Sequence, residues 1–323
     1  MAIINYRWAV NNALDEEMKR DSTVFIIGED VGSAGGTFGL TRGLHEKYGS
    51  LRVMDTPISE EGIAGLAVGS AAIGMRPVAE IMFMDFITIA MEQICNQAAK
   101  MRYVYGGQVK VPLVVRTLAG TGLRAGCHHS QSLESWFIHV PGLKVVMPST
   151  PYDAKGLLKS AIRDDNPVIF IEHKALLGLK GEVPDDEYLI PLGKADIKKS
   201  GHDVTIVATG LMVHRALAAA QQLEQDGISA EVIDPRTLSP LDTDTIIASV
   251  QKTSRLIVVH DAVKPCGFGA EVAALVAEEA IEYLDAPIIR VTTAFTPIPV
   301  GEAEDFVIPS DQAIFQAVMG MFS

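Results

Sequence analysis

Thr23-Val24-Phe25-Ile26-Ile27-Gly28 is the stretch that first indicates the fold class. An apolar, β-branched run that stops at a glycine predicts a buried strand followed by a turn. The same pattern recurs outward from it, with helix-like segments in between. In the first half of the chain, strands are predicted at 78–83, 111–116, 143–147 and 167–171, and helices at 6–20, 61–74, 86–105 and 151–163. Strands that alternate with helices predict βαβ units and a mainly parallel sheet.

A second series of the same kind follows a polar segment that contains glycine and proline. Its strands are predicted at 204–208, 230–233, 255–259 and 288–291, and its helices at 212–226, 242–251 and 269–283. A length of 323 residues also favours two domains. We therefore expect two α/β domains, each a mainly parallel sheet flanked by helices. They comprise residues 1–185 and 201–323, joined by a linker at 186–200 with the boundary near residue 190.

Composition excludes several classes of function. A formal charge of −13 argues against nucleic-acid binding, which needs a basic surface, and would suit a basic protein partner. No apolar run reaches the ~18–20 residues of a membrane span, and the first residues do not resemble a signal segment. The three cysteines lie far apart in the sequence, which predicts a reduced compartment. We expect a cytoplasmic protein that binds neither membrane nor nucleic acid.

One acidic motif is a candidate for proton chemistry: Asp55-Thr56-Pro57-Ile58-Ser59-Glu60-Glu61-Gly62. Pro57 and Ser59 predict the start of a helix, and Glu60 and Glu61 then stand in its first turn. The residues alone leave two interpretations open. Both carboxylates simply complement the helix dipole, or one of them is partly buried and serves in proton transfer.

A second candidate is Gly126-Cys127-His128-His129-Ser130-Gln131-Ser132. Two adjacent histidines beside a cysteine suggest a metal site, but neighbours rarely ligate one ion and no second pair lies at a suitable spacing. A histidine on a loop that transfers protons fits better, because imidazole titrates near neutral pH. A hydrogen-bonded pair with a purely structural role remains the alternative.

The stretch Gly267-Phe268-Gly269-Ala270-Glu271-Val272 resembles the beginning of a dinucleotide fingerprint. Val272 stands where the third glycine is needed, and the turn before it is too long, so the pattern predicts a helix start instead. The sequence contains no Walker loop, no Gly-x-Ser-x-Gly elbow and no paired-cysteine motif. Residue patterns by themselves therefore predict a two-domain α/β protein with a candidate carboxylate and a candidate histidine.

Seven motifs in order carry a resemblance that goes further. They are Gly28-Glu29-Asp30-Val31, Asp55-Thr56-Pro57-Ile58-Ser59-Glu60, His129-Ser130-Gln131, Pro141-Gly142-Leu143-Lys144-Val145-Val146, Ser160-Ala161-Ile162-Arg163-Asp164-Asp165-Asn166-Pro167, Asp234-Pro235-Arg236-Thr237 and Thr296-Pro297-Ile298-Pro299. Over essentially its whole length the chain resembles the beta subunits of thiamin-diphosphate-dependent 2-oxo acid and acetoin dehydrogenase components. The resemblance implies a transketolase-like pyrimidine-binding domain followed by a transketolase C-terminal-like domain.

The resemblance also implies roles for five residues. Glu60 matches the family carboxylate that hydrogen-bonds the pyrimidine nitrogen of thiamin diphosphate and favours the imino tautomer. Ile58, Met82 and Phe86 match the lining of the pyrimidine pocket. His129 matches the family histidine that transfers a proton while the acyl group passes to a lipoyl group. His128 lies at a position that varies in the family, so its role beside His129 stays open.

Two ions are implied in different ways. The 160–167 segment resembles a loop that binds potassium through oxygens, here those of Leu113, Ala161, Ile162, Asp164 and Asn166. The Asp and Asn residues there equally suit a helix cap. No Gly-Asp-Gly motif occurs, so the family pattern implies that an alpha subunit supplies Mg²⁺ and the diphosphate site in an α2β2 tetramer.

The expected reaction is cleavage of a 2-oxo acid or acetoin with reductive acylation of the lipoyl group of a dihydrolipoyl acyltransferase. The sequence does not distinguish pyruvate, branched-chain 2-oxo acids and acetoin. An acidic cluster of Glu302, Glu304 and Asp305 is a candidate for docking a basic domain of that partner, or else a solvated loop. The alternatives are another half-enzyme of the transketolase superfamily and a non-catalytic assembly subunit of the electron-transfer flavoprotein kind.

Overall fold

The computed structural model describes residues 1–322. Fourteen strands lie in this part of the chain: β1 (Ala2–Asn5), β2 (Val24–Gly28), β3 (Val53–Asp55), β4 (Arg76–Phe83), β5 (Val114–Ala119), β6 (Lys144–Val146), β7 (Val168–His173), β8 (Lys180–Val183), β9 (Asp196–Lys199), β10 (Val204–Ala208), β11 (Ala230–Asp234), β12 (Thr237–Ser239), β13 (Leu256–Val263) and β14 (Ile289–Thr293).

Ten α-helices accompany the strands: α1 (Tyr6–Arg20), α2 (Leu44–Tyr48), α3 (Glu60–Ala72), α4 (Ala99–Val104), α5 (Glu134–Ile138), α6 (Pro151–Arg163), α7 (Leu211–Gln225), α8 (Thr243–Thr253), α9 (Phe268–Glu279) and α10 (Asp311–Met319). Local sequence explains several of their ends. Asn5 caps α1 by accepting from the Trp8 amide, and Thr150 caps α6 in the same way with Pro151 at the first helical position.

Two sheets form the body of the molecule. The first has seven strands in the order β12-β6-β7-β5-β4-β2-β3, and the second has five in the order β14-β13-β10-β11-β9. All neighbours in both sheets run parallel except the edge pairs β12–β6 and β11–β9. The inner strands β2, β7, β10 and β11 are buried along their length, as expected where helices cover both faces of a sheet. This confirms the predicted α/β class.

Three charged residues lie side by side within the first sheet. Arg116 on β5 donates to Glu80 on β4 at 2.9 Å and to Glu172 on β7 at 2.7 Å, and all three are buried. Burial acts to lower the pKa of Arg116, but the two carboxylates outweigh it and raise that pKa. A buried triad of this kind is costly unless every charge is paired, so it fixes the lateral order of these strands.

The structure corrects the predicted elements in four places. The helix predicted at 86–105 is instead a 3₁₀ segment (Phe86–Ala90), a π-helical segment (Glu92–Ala98) and α4. The strand predicted at 111–116 begins later, at Val114. Strand β9 lies inside the predicted linker and joins the second sheet, whereas β12 from the second half joins the first sheet. Among residues 1–322 no helix has the length and apolar character needed to cross a bilayer.

Candidate functional site

The candidate residues gather where the parallel strands of the first sheet end. Glu29 follows β2, Met82 and Phe83 close β4, and Lys174 follows β7. The segment 120–133, which contains His129, follows β5. Carboxyl ends of parallel strands meet at one edge of a sheet, and ligands of open α/β sheets bind outside that edge. Local strand ends therefore bring together residues that are far apart in the sequence.

An aromatic cluster surrounds the predicted histidine. The His129 ring lies 5.1 Å from the Phe83 ring and 5.4 Å from the Phe86 ring, and the two phenylalanine rings are 5.7 Å apart. All three contacts are edge-to-face, which is the arrangement that aromatic quadrupoles favour. Phe86, Met82 and His129 are half-buried, so each retains a face toward solvent. The structure thus brings Phe86 and His129 into direct contact.

The candidate carboxylate stands at the beginning of α3. Glu60 is half-buried and Glu61 is exposed, and α3 packs against the Phe86–Ala90 segment. Within residues 1–322 no side chain or amide donates a hydrogen bond to the Glu60 carboxylate. Burial, and then the negative charges of Asp30 and Glu60, raise the pKa of neighbouring Glu29. Glu60 therefore presents an unpaired carboxylate in a negative environment, whereas Ile58 is 75% exposed.

A buried carboxylate on β13 of the second sheet accepts hydrogen bonds from the beginning of the 120–133 segment. Asp261 accepts from the Thr121 amide at 3.0 Å and hydroxyl at 2.8 Å, lies 2.9 Å from His173 Nε2, and accepts from the Thr293 hydroxyl at 3.0 Å. Burial acts to raise the pKa of Asp261, but the bonds from His173 and Thr121 prevail and lower it. Gly120 has a φ of +84°, and a Cβ there would lie 2.2 Å from the His173 ring. Only glycine fits this approach.

Two more carboxylates accept hydrogen bonds from the 120–133 segment. Asp85 accepts from the Gln131 side chain at 2.9 Å, and Glu304 accepts from the Gly122 amide at 2.6 Å. Glu304 is only 1% exposed, and Asp305 pairs with Arg124 at 2.7 Å. Glu304 therefore cannot belong to an exposed acidic cluster, whereas docking through Glu302 and Asp305 stays a prediction. Only Glu302 among the three is both exposed and unpaired within the described chain.

The oxygens proposed to bind potassium lie around the end of α6, where β5 and β7 begin. This is the edge of the first sheet opposite to the one that carries the aromatic cluster. Arg76 Nη1 donates to the carbonyls of Ile162 and Asp164, at 3.0 Å each. The carbonyl of Leu113 accepts from Val168, and that of Ala161 accepts from the Asp164 amide. The cap interpretation of Asp164 is thus seen directly. Each carbonyl retains a second lone pair, so an ion remains compatible with these oxygens.

The remaining predicted features have simpler explanations. His128 is exposed, and its Nδ1 lies 3.5 Å from the Cys127 sulfur, outside the aromatic cluster. The described residues contain no group of three or more His, Cys, Asp or Glu side chains arranged to hold a metal ion. Gly267 and Gly269 begin α9, as predicted, and pack against the buried His260 ring. Burial lowers the pKa of His260 to about 4, which keeps this imidazole neutral.

Glu134 is a buried acid that sequence patterns did not single out. It is 1% exposed at the beginning of α5, and its Oε2 has no hydrogen-bond partner among the described residues. Burial is the main reason that its pKa is raised to about 7, with a smaller contribution from the charge of Asp261. At neutral pH this group is therefore close to half-protonated beside the histidine segment.

Other residues that sequence reasoning missed are Phe83, Asp85, Lys174 and Asp261. Phe83 and Asp85 lie next to predicted pocket residues, so the end of a predicted strand was an available signal. Lys174 and Asp261 carried no local signal, because their contacts lie 45 and 140 residues away in the sequence. The nearest indication that the sequence offered for such residues is a charged side chain at or near the end of a predicted buried strand.

Comparison with protein families matches both halves of the chain. The pyrimidine-binding domain of transketolase matches residues 2–180, and the C-terminal domain of transketolase matches residues 193–314. A solved structure described as a split gene transketolase, inactive beta4 tetramer, has a TM-score of 0.80 at 25% identity and covers 98% of both chains.

Curated relatives are similar over nearly the full length. The beta subunit of acetoin:2,6-dichlorophenolindophenol oxidoreductase from Cupriavidus necator is 51% identical, over 97% of this chain and 96% of its own. The beta subunit of 2-oxoisovalerate dehydrogenase from Bacillus subtilis is 52% identical, over 90% and 89%. The beta subunit of the pyruvate dehydrogenase E1 component from Bacillus subtilis is 48% identical, over 98% of both chains.

Replacing Glu134 with glutamine should stabilise the purified chain at alkaline pH. A folded-state pKa of about 7, against an ordinary value of 4.5, means that the native environment favours the neutral carboxyl. The stability of the wild type should therefore fall as pH rises from about 4.5 to 7 and then level off. Glutamine avoids this penalty, so the variant should gain up to about 3 kcal/mol at pH 8 and almost nothing at pH 4.5.

Urea unfolding at the two pH values measures this difference. Glu278→Gln, at an exposed position, is the matched control and should change stability by less than about 0.5 kcal/mol at either pH. An equal effect of Glu134→Gln at both pH values would contradict a raised pKa.

Proposed function

Because the chain belongs to the family of beta subunits of acetoin, 2-oxoisovalerate and pyruvate dehydrogenase components, we propose that it carries the pyrimidine half of a thiamin diphosphate site. The proposed reaction is cleavage of a 2-oxo acid or acetoin, followed by transfer of the acyl group to a lipoyl group. An alpha subunit would complete the site. The relatives are named for acetoin, 2-oxoisovalerate and pyruvate, so the proposed substrate is a 2-oxo acid or acetoin.

The observation that carries the proposal is the unpaired Glu60 carboxylate on a helix that packs against the Phe86 segment. An aminopyrimidine ring needs a flat apolar contact for its face and a carboxyl group for its ring nitrogen. Phe86 and Met82 offer half-buried apolar surface, and Glu60 offers the carboxyl group. The donor set therefore fits the pyrimidine end of the cofactor. Ile58, which is largely exposed, fits this role only where a partner chain or the cofactor covers it.

Thiamin diphosphate, when bound, would supply the nucleophilic carbon that cleaves the substrate. Glu60 would hold a proton between its carboxylate and the pyrimidine nitrogen, and so control the tautomer of the ring. His129, held by Phe83 and Phe86, would donate or accept a proton at the sulfur of the incoming lipoyl group.

We propose that Mg²⁺ and the diphosphate are held mainly by the alpha subunit. The chain has no Gly-Asp-Gly motif, and its described residues lack a metal-holding cluster. The beta-subunit names of the relatives fit a multi-subunit enzyme, and the similar split transketolase is described as inactive in its beta4 form. The further proposal is an α2β2 assembly that docks a dihydrolipoyl acyltransferase.

Glu60→Gln should abolish most turnover while leaving assembly intact. The amide cannot supply the proton that a carboxylic acid shares with the pyrimidine nitrogen, so kcat should fall by about 10²–10⁴-fold. Glu61→Gln is the matched control, because the exposed neighbour acts only on the helix dipole, and should keep kcat within about threefold. The assay is acyl transfer to lipoamide by the enzyme reconstituted with its alpha subunit. Unchanged turnover in an assembled Glu60→Gln enzyme would favour a scaffolding role.

Cofactor binding should require the alpha subunit. Calorimetric titration of thiamin diphosphate with Mg²⁺ should give no heat of binding with this chain alone and a saturable signal with the co-purified alpha–beta complex. The reason is that diphosphate and metal provide most of the charge-assisted contacts of such a cofactor. Tight binding or full turnover by the chain alone would contradict the divided site, and silence in both samples would remove the cofactor from the proposal.

The potassium site remains a prediction, supported by the carbonyls of Leu113, Ala161, Ile162, Asp164 and Asn166. If they bind K⁺, thermal unfolding in KCl should occur a few degrees above that in NaCl at equal ionic strength, because a ligand that binds only the native state stabilises it. Identical melting temperatures in the two salts would argue that Arg76 and the cap of α6 suffice to order this turn.

A further inference from the structure

A buried lysine lies behind the segment that carries the candidate histidine. Lys174 follows β7 and is only 3% exposed. Its ammonium group donates to the main-chain carbonyl of His129 and lies 5.2 Å from the centre of the Phe83 ring. Phe83 in turn contacts the His129 ring edge-to-face. Lys174 thus touches both the backbone of His129 and one of the two rings that contact its imidazole.

The groups that face Lys174 come from three separate elements. Asp85 follows β4, Asp261 belongs to β13, and Glu304 lies in the 3₁₀ segment Gly301–Phe306, and each acts on the ammonium group electrostatically. None of the three forms an ion pair with Lys174 within the described chain; each holds part of the 120–133 segment instead. Lys174 therefore lies among three carboxylates, each of which accepts a hydrogen bond from the 120–133 segment.

The energetics of this arrangement favour a specific role over general packing. Burial lowers the pKa of Lys174 to about 8, although the charges of Asp85, Asp261 and Glu304 act to raise it. A buried ammonium group is retained only where its hydrogen bonds and surrounding charge compensate for lost hydration. Within the described residues, the one hydrogen bond that this ammonium group makes goes to the His129 carbonyl, so the compensation depends on the position of His129.

We propose that Lys174 is a positioning residue for His129: it binds the His129 carbonyl and the Phe83 face, and so fixes the imidazole against Phe83 and Phe86. Only the catalytic consequence of this inference rests on the proposed function, because the contact between Lys174 and His129 lies within this chain. Without the ammonium group, the three carboxylates would lose their neutralising cation, and the His129 backbone would lose its anchor on the first sheet.

Chemical labelling of the histidines tests the contact without cofactor or partner. Diethyl pyrocarbonate modifies accessible neutral imidazoles, and fragment masses distinguish His128 from His129. In Lys174→Met, His129 should be modified about tenfold faster relative to His128, the factor expected when a hydrogen bond from a charged group is lost. Lys174→Arg, which keeps a cation and donors, should restore much of the protection. Lys180→Met, at an exposed lysine, is the matched control and should leave the ratio unchanged.

A second measurement needs no variant and covers the case in which Lys174→Met does not fold. The His129 to His128 modification ratio of the wild type should rise as the pH passes through about 8, where Lys174 loses its charge among Asp85, Asp261 and Glu304. A ratio that stays flat with pH, or an unchanged ratio in a folded Lys174→Met chain, would overturn the positioning role.

Turnover of the reconstituted enzyme separates this inference from the proposed function. Lys174→Met and His129→Ala should each slow acyl transfer to lipoamide, and the double variant should be no slower than His129→Ala, because Lys174 acts through His129. A further loss in the double variant would contradict that dependence. If labelling changes as expected while His129→Ala retains full acyl transfer, the proposed role of His129 fails and the positioning contact stands.

Discussion

The hydrogen bonds that converge on the Asp261 carboxylate are the constraint on which the candidate site depends. They join β13 of the second sheet to Thr121 and His173 at the carboxyl edge of the first sheet. Hydrogen bonds to a charged group contribute about 1.5–3 kcal/mol each, whereas an unpaired buried carboxylate costs several kcal/mol. These bonds keep the pKa of Asp261 low and link the two sheets in the observed arrangement. The segment bearing His129 begins at that junction.

Charge balance extends this constraint through the first sheet. Arg116 pairs with Glu80 and Glu172 inside the strands, and Lys174 lies among further carboxylates just beyond the strand ends. Both cations are buried, so each fixes the positions of the acids around it. Next to these buried charges lie the half-buried rings of Phe83, Phe86 and His129.

The proposed function requires other molecules to complete the candidate site. Glu60 has no partner among the described residues, Ile58 is largely exposed, and no metal-holding cluster occurs in residues 1–322. Glu60 and Ile58 are the residues that, on the proposed function, the cofactor and a partner chain would cover. Their position at the end of β3 and the beginning of α3 puts them at the edge of the first sheet, where a cofactor and a partner subunit can both reach them.

The sequence by itself determined the α/β class and most helices and strands, because hydrophobic periodicity and turn residues act over a few positions. The Glu60 and His129 candidates came from motifs that resemble those of a known family. Only the tertiary structure decided that Lys174 supports His129, that Glu304 is buried, and that β12 joins the first sheet. The contact between Gly122 and Glu304 joins residues 182 positions apart. Such contacts follow from how the two sheets pack, and no local pattern encodes that packing. The segment predicted as one helix at 86–105 likewise packs against α3 through its 3₁₀ and π-helical parts, a contact between elements that are not adjacent in the sequence.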